Sequence, residues 1–199
     1  VFIDVDGTLV DDRGTIPPSA RTAIQQARAN GHLVMLCTGR SLSSIWPEIF
    51  DIGFDGVIAA AGGYVEFGGE VLNHHDVPTA EVLHLAAFFE GMFGSPGVQA
   101  ELRRLIFGSV TDEDILAELE RGLMGFIDSI IVGRDPATLH VNKVSFLGST
   151  LTLDDIRTEL GSVFDVIPTT VPLFGLHSGE LSLLGVHKAA GIQVIIEHV

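Results

Sequence analysis

The sequence predicts an α/β fold, in which a parallel-sheet core is interrupted by an inserted α+β domain. Apolar runs at 1–3 and 32–37 flank a segment with helical spacing. Strand, helix, strand is the unit that builds parallel sheets. From Pro78 onward, short strand-like runs alternate with helical patterns and lack the continuous apolar character of the first part. A final apolar-periodic segment opening at Lys188 leads back to the core.

The first run ends in two carboxylates, Asp4 and Asp6, followed at once by Gly7 and Thr8. Side chains alternate faces along a strand, so Asp4 and Asp6 are expected to point the same way at its end. Like charges this close repel, and Asp is disfavoured in strands. A hard cation held by carboxylate and carbonyl oxygens resolves the conflict, with Mg2+ the natural choice. Gly7 lets the backbone turn sharply and offers an N–H to an anion. The competing reading is a strand closed by an ordinary polar turn.

Pro17-Pro18-Ser19 reads as a helix start. Ala20, Ala23, Ile24 and Ala27 recur at helical spacing, and Gly31 is the expected left-handed stop. Residues 32–37 then read as a strand buried on both faces. It ends in Thr38-Gly39-Arg40, at the sheet edge where open α/β folds bind ligands. Arg40 is suited to clamp a phosphoryl group, and the Thr38 hydroxyl to donate to one. The alternative is a helix cap and a surface charge. Residues 41–50 look helical, with Pro47 an irregularity, and 55–60 reads as a third strand. Runs at 64–67 and 70–72, split by Gly68-Gly69, suggest a hairpin. Adjacent His74 and His75 face opposite ways on a strand, which favours a surface pair over a metal site.

In the second part, helices are expected at 79–93, 112–121 and 153–160. The first has Val82, Leu83, Ala86, Phe89 and Phe93 on its apolar side. Strands are expected near 98–102, 105–107, 126–132, 140–147 and 163–167. This order fits a sheet wet on one face. Lys188 opens the final helix, where a cation opposes the helix dipole unless an anion lies nearby.

The Asp4-x-Asp6-Gly7-Thr8-Leu9 sequence resembles the first motif of the haloacid dehalogenase-like hydrolases. The resemblance implies that Asp4 is the nucleophile that attacks phosphorus and Asp6 the general acid/base. Thr38-Gly39-Arg40 resembles the second motif, which implies that Thr38 orients the transferring phosphoryl group. The run from Gly179 to Lys188 reads Gly-Glu-x-x-Leu-x-Gly-Val-x-Lys. It resembles the return to the core in the Cof-like branch, where this Lys bridges nucleophile and phosphate. Members of that branch often carry Asn-Gly-Ala where this chain has Ala61-Gly62-Gly63. The family's fourth motif, typically Gly-Asp-x-x-Asn-Asp, would follow the final helix and supply further metal carboxylates. The sequence stops before it, and starts inside an apparent strand, so it is expected to be part of a longer protein and inactive by itself.

Composition narrows the partners. The 199 residues carry a formal net charge of −15, which disfavours nucleic acid and anionic lipid. No apolar run approaches the about 18–20 residues that a spanning helix needs. The start lacks the basic region and cleavage site of a signal peptide. A single cysteine, Cys37, excludes an internal disulfide and fits a reducing cytoplasm.

The expected architecture is a Rossmann-like core over 1–77 and 184–199 with a cap over 78–183. The expected activity is Mg2+-dependent hydrolysis of small phosphate monoesters, sugar phosphates or phosphorylated cofactors, through an aspartyl phosphate. Asp4, Asp6, Thr38 and Lys188 would be catalytic, with Gly7, Gly39 and Arg40 on the phosphate. Asp4 and the Asp6 carbonyl would hold the metal. A phosphomutase using the same Asp pair and a non-catalytic phosphate-ligand-binding domain are the alternatives.

Overall fold

A computed structural model describes residues 1–11, 14–93, 136–138, 140–146, 149, 151–168 and 177–199. In chain order the elements are β1 (Phe2–Ile3), α1 (Pro18–Ala29), β2 (Met35–Cys37), α2 (Pro47–Phe50) and β3 (Gly56–Ala59). There follow β4 (Tyr64–Phe67), β5 (Glu70–His74), α3 (Thr79–Phe93) and β6 (Lys143–Phe146). The last are α4 (Leu153–Leu160), β7 (Phe164–Pro168), β8 (Gly179–Leu183) and α5 (Lys188–His198). One unit holds Val1–Asp76 and Gly185–Val199; the other holds the described residues from Val77 to Leu184.

The first unit is built on a sheet in the order β1-β2-β3-β4-β5. β1, β2 and β3 run parallel, with Phe2 opposite Met35 and Leu36 opposite Val57. β4 and β5 return antiparallel as the hairpin expected from Gly68-Gly69. Every residue of β2 is buried, as a strand covered on both faces requires. Leu36 and Val57 pack with Val5, Leu9, Ile24 and Ile49 on one face. Met35, Cys37 and Ile58 pack with Val65 and Ile195 of α5 on the other. Alternation along the strands thus places a helix on each side.

α1 starts at Pro18 and ends before Gly31, which takes the expected left-handed conformation. The helix expected over 41–50 is instead a 3-10 turn, Leu42–Ser44, followed by the short α2. Pro47 causes the break. It disfavours helical backbone at the residue before it, and Trp46 is extended at ψ 143. The expected 32–37 strand is narrower in the structure, with β2 confined to Met35–Cys37.

The second unit contains a sheet in the order β6-β8-β7, antiparallel throughout. Phe146, Ile156, Leu160, Phe164 and Leu181 form its core with Val82 and Leu85 of α3. Leu83, expected on the apolar side of α3, is exposed, and Leu85 is buried in its stead. α4 opens with a reciprocal cap between Thr152 and Asp155. The elements expected at 98–102, 105–107, 112–121 and 126–132 lie outside the described residues.

Arg28, in the last turn of α1, donates through Nη2 to Asp55 Oδ1 at 2.8 Å. Asp55 Oδ2 accepts the Val34 N–H at 2.8 Å, so this carboxylate ties α1 to the start of β2. The Arg28 hydrogen bond, helped by Val34, holds the Asp55 carboxyl below its ordinary value. A depressed carboxyl stabilises the fold above its unfolded value of 3.8, and the contribution disappears as pH falls through the lower folded value. Asp55→Asn is expected to cost about 1 kcal/mol at neutral pH, after allowance for screening at the exposed Arg28. Urea unfolding across pH checks this. The gap between parent and variant should close under strongly acidic conditions, and a gap independent of pH would refute the ion-pair account.

Candidate active site

β1 and β2 are parallel neighbours, so the residues after their C-terminal ends emerge at one edge of the sheet. Asp4 follows β1 directly. Beyond it the chain turns rather than continuing as a strand, with Leu9 N–H donating to Asp4 O at 3.2 Å and Val10 N–H to Val5 O at 3.0 Å. Asp4 and Asp6 therefore leave a turn, not one face of a strand, and each meets a different cation.

Asp4 Oδ1 accepts the Val5 N–H at 2.9 Å and lies 2.8 Å from Lys188 Nζ. Lys188 is the first residue of α5, where a cation is unfavourable alone and the Asp4 carboxylate compensates. His187 caps this helix, its Nδ1 accepting the Ala190 N–H at 3.1 Å. An imidazole thus does what Ser, Thr, Asp or Asn usually does.

Asp6 is held by Arg40 through both oxygens. Arg40 Nη2 is 2.7 Å from Oδ1, and Nε is 3.1 Å from Oδ2. This two-pronged arrangement is the geometry for which a guanidinium is suited. Nη1 donates to Ser44 O at 3.2 Å, and the guanidinium lies 4.3 Å from the centroid of a Trp46 ring. All three nitrogens of the fork are engaged within the protein. The sequence expectation for Arg40 is a phosphate contact; in the structure the side chain lies on Asp6, supported by Trp46 and Ser44 O, which no pattern in the sequence marks.

Thr38 is fully buried. Its N–H donates to Ile58 O at 2.8 Å, its C=O accepts the Ala61 N–H at 3.0 Å, and its hydroxyl accepts the Arg40 N–H at 3.1 Å. Gly39 is half-buried between Thr38 and Arg40. Gly7 is exposed, with φ 71 and nothing within 4 Å of where a Cβ would lie.

Cys37, the last residue of β2, is buried. Burial pushes the Cys37 thiol up, against the opposing field of Lys188. Among the described residues, no group of three or more His, Cys, Asp or Glu side chains is arranged to hold a metal ion.

A profile of the haloacid dehalogenase-like hydrolases matches residues 1–199. YkrA of Bacillus subtilis is 29% identical over 85 residues, which are 43% of this chain and 33% of YkrA. The 5-amino-6-(5-phospho-D-ribitylamino)uracil phosphatase YwtE of the same organism is 36% identical over 69 residues, 35% of this chain and 24% of YwtE. These matched stretches span a third or less of each relative's length. Among solved structures, a sugar phosphatase of subclass IIB superposes with TM-score 0.66 at 21% identity, covering 99% of this chain and 74% of that one. The fold agrees: a Rossmann-like α/β core with additional cap elements. With its motifs set at one sheet edge and the family profile matched from end to end, the chain belongs to the haloacid dehalogenase-like hydrolases.

Proposed function

We propose that the protein hydrolyses small phosphate monoesters through an aspartyl phosphate on Asp4. The observation that carries this reading is the Lys188–Asp4 contact of 2.8 Å, at the same edge as the Arg40–Asp6 pair. Asp4 attacks phosphorus in line, the ester oxygen leaves, and Asp6, protonated from solvent at an oxygen that gives up its Arg40 contact, hands it that proton. Asp6 then takes a proton from the water that cleaves the aspartyl phosphate, releasing phosphate and regenerating Asp4. Arg40 keeps the Asp6 carboxylate in one orientation through these transfers. Lys188 and the main chain at Gly7 face the charge on the phosphoryl oxygens. The Thr38 hydroxyl, fixed as an acceptor by the Arg40 N–H, keeps its own proton to orient a phosphoryl oxygen, with Gly39 giving the loop room.

The donors that suit Mg2+ are the Asp4 carboxylate and the main-chain carbonyl of Asp6. Contacts to Asp4 from described residues use Oδ1, which leaves Oδ2 available. One carboxylate and one carbonyl fit an ion that keeps several waters and completes its shell with substrate phosphate. Bound there, Mg2+ would offset the repulsion between carboxylate and phosphate.

In this reading residues 78–183 form the cap domain and 1–77 with 184–199 the core, the cap's part being to select the leaving group. Sugar phosphates or phosphorylated cofactors are the proposed substrates. A phosphoribityl compound in the name of YwtE and the sugar phosphatase among the solved structures support that class. The net charge of −15 argues against nucleic acid as a partner, and no helix among the described residues is long and apolar enough to cross a membrane. The cytoplasm is the proposed compartment, on the single reduced Cys37.

A panel of phosphorylated metabolites, assayed with Mg2+ in the natural full-length protein, tests the activity. Asp4→Asn is isosteric but removes the attacking charge, so turnover should fall by at least about 1000-fold with the fold intact. Asp6→Asn should keep part of its activity with good leaving groups and lose it with poor ones. Retention of most activity by Asp4→Asn would sink the covalent mechanism.

A second prediction concerns the metal. Calorimetry on the 199-residue chain should find weak Mg2+ binding without a ligand, in about the millimolar range, because Asp4 and the Asp6 carbonyl alone leave most of the ion's shell to water. Adding fluoroberyllate, which mimics a phosphoryl group on a carboxylate, should tighten it. Equal affinity with and without fluoroberyllate would contradict the assignment of Asp4.

A further inference from the structure

The turn that follows β3 has an unusual backbone. Ala60 and Ala61 have φ of 48 and 55, and Gly62 has φ 108. Left-handed backbone at two successive alanines is strained and persists only when its surroundings fix it. Here they do. Ala60 N–H donates to Arg40 O at 2.6 Å, and Ala61 N–H donates to Thr38 O at 3.0 Å. One side of the turn is thus sewn to the loop that carries Thr38 and Arg40.

The other side receives helix α5. A Cβ on Gly62 would lie 2.4 Å from His187 O and 2.9 Å from His187 C. One turn further along the helix, a Cβ on Gly191 would lie 2.6 Å from Ile58 Cγ2 and 3.3 Å from Gly62 Cα. Both glycines are buried. The helix therefore rests on this turn at two points where only hydrogen fits. Between His187 and Gly191 in the chain lies Lys188, whose Nζ is 2.8 Å from Asp4 Oδ1.

We propose that Gly62 and Gly191 form a seat that aims Lys188 at Asp4, and that the left-handed turn Ala60–Ala61–Gly62 couples this seat to the Thr38–Arg40 loop. Gly62 is then a positioning residue acting through His187 and Lys188. The strained turn is kept because it makes main-chain contacts on both sides, one to each loop that supplies a cation to the carboxylates. The catalytic meaning rests on the phosphatase reading; the seating of Lys188 does not.

Lys143 and Lys188 are the two lysines of these 199 residues, and in nitrogen-15 lysine-labelled natural protein the Lys188 side-chain signal is assigned by its loss in Lys188→Arg. Gly62→Ala and Gly191→Ala should each shift the Lys188 signal toward that of a free lysine and leave Lys143 in place. Gly69→Ala is the control. Its φ of 84 imposes comparable strain at the hairpin tip, but nothing lies within 4 Å of the added Cβ. It should lower the melting temperature and leave both lysine signals unchanged. If Gly62→Ala does not fold, Gly191→Ala, which needs no left-handed backbone, decides the matter. In the natural protein, kcat should fall by about tenfold or more in the seat variants with KM within about twofold, since a misplaced group costs the transition state more than binding. A Lys188 signal unmoved in a folded seat variant, or moved equally by Gly69→Ala, overturns the proposal. A moved signal with no turnover in any variant, parent included, would refute the phosphatase reading and leave the seat standing.

Discussion

Two carboxylates placed two residues apart must each be given a counter-charge, and the core of this protein is arranged around that requirement. Asp4 has Lys188 at 2.8 Å and Asp6 has Arg40 at 2.7 Å. The cations come from different directions. Arg40 arrives on the loop after β2, the parallel neighbour of β1, while Lys188 arrives on the first turn of α5. Neither could be supplied by the local sequence around Asp4 and Asp6, so the sheet and the helix packed on it are what make the paired carboxylates tolerable. The two pairs also differ in kind. Arg40 is held on three sides by Asp6, Ser44 and Trp46, and is fixed. Lys188 is a point charge on a flexible stem and is half-exposed.

The features legible in the sequence were those whose cause is local. Pro18 starts α1 because proline suits a first turn, and Lys188 starts α5 because the apolar spacing resumes there. The spans of α3 and α4 follow from periodicity alone. The pairing of Asp4 with Lys188 follows from motif resemblance, and a cation at a helix start adds that an anion should lie nearby. What the sequence hid depends on tertiary contacts. Arg40 reads as a phosphate clamp or a surface charge, and its contacts with Asp6, Ser44 O and Trp46 come from tertiary packing that no spacing marks. The left-handed turn at Ala60–Ala61 was invisible because alanine gives no hint of positive φ; the usual signals are glycine or asparagine. Leu83 looked interior by spacing, yet Leu85 holds the buried place, since an eye for hydrophobic runs does not fix the rotation of a helix.

The burial pattern of the core explains why so small a set of elements suffices to hold the site. Along β2 and β3, side chains alternate between a cluster containing Ile24 of α1 and one containing Ile195 of α5. The same strands therefore locate both helices, and α5 in turn delivers Lys188. Asp55 adds a polar tie on the α1 side through Arg28 and Val34 N–H, where a buried apolar contact would not fix the register of the loop.

The central claim is that Asp4 becomes covalently phosphorylated. Brief reaction of the natural full-length protein with an activated phosphoryl donor, followed by borohydride reduction and peptide mass spectrometry, tests it most directly. An acyl phosphate is reduced to an alcohol, so Asp4 should appear as homoserine while Asp6 remains aspartate. Homoserine at Asp6, or no conversion in protein that turns over substrate, would contradict the account.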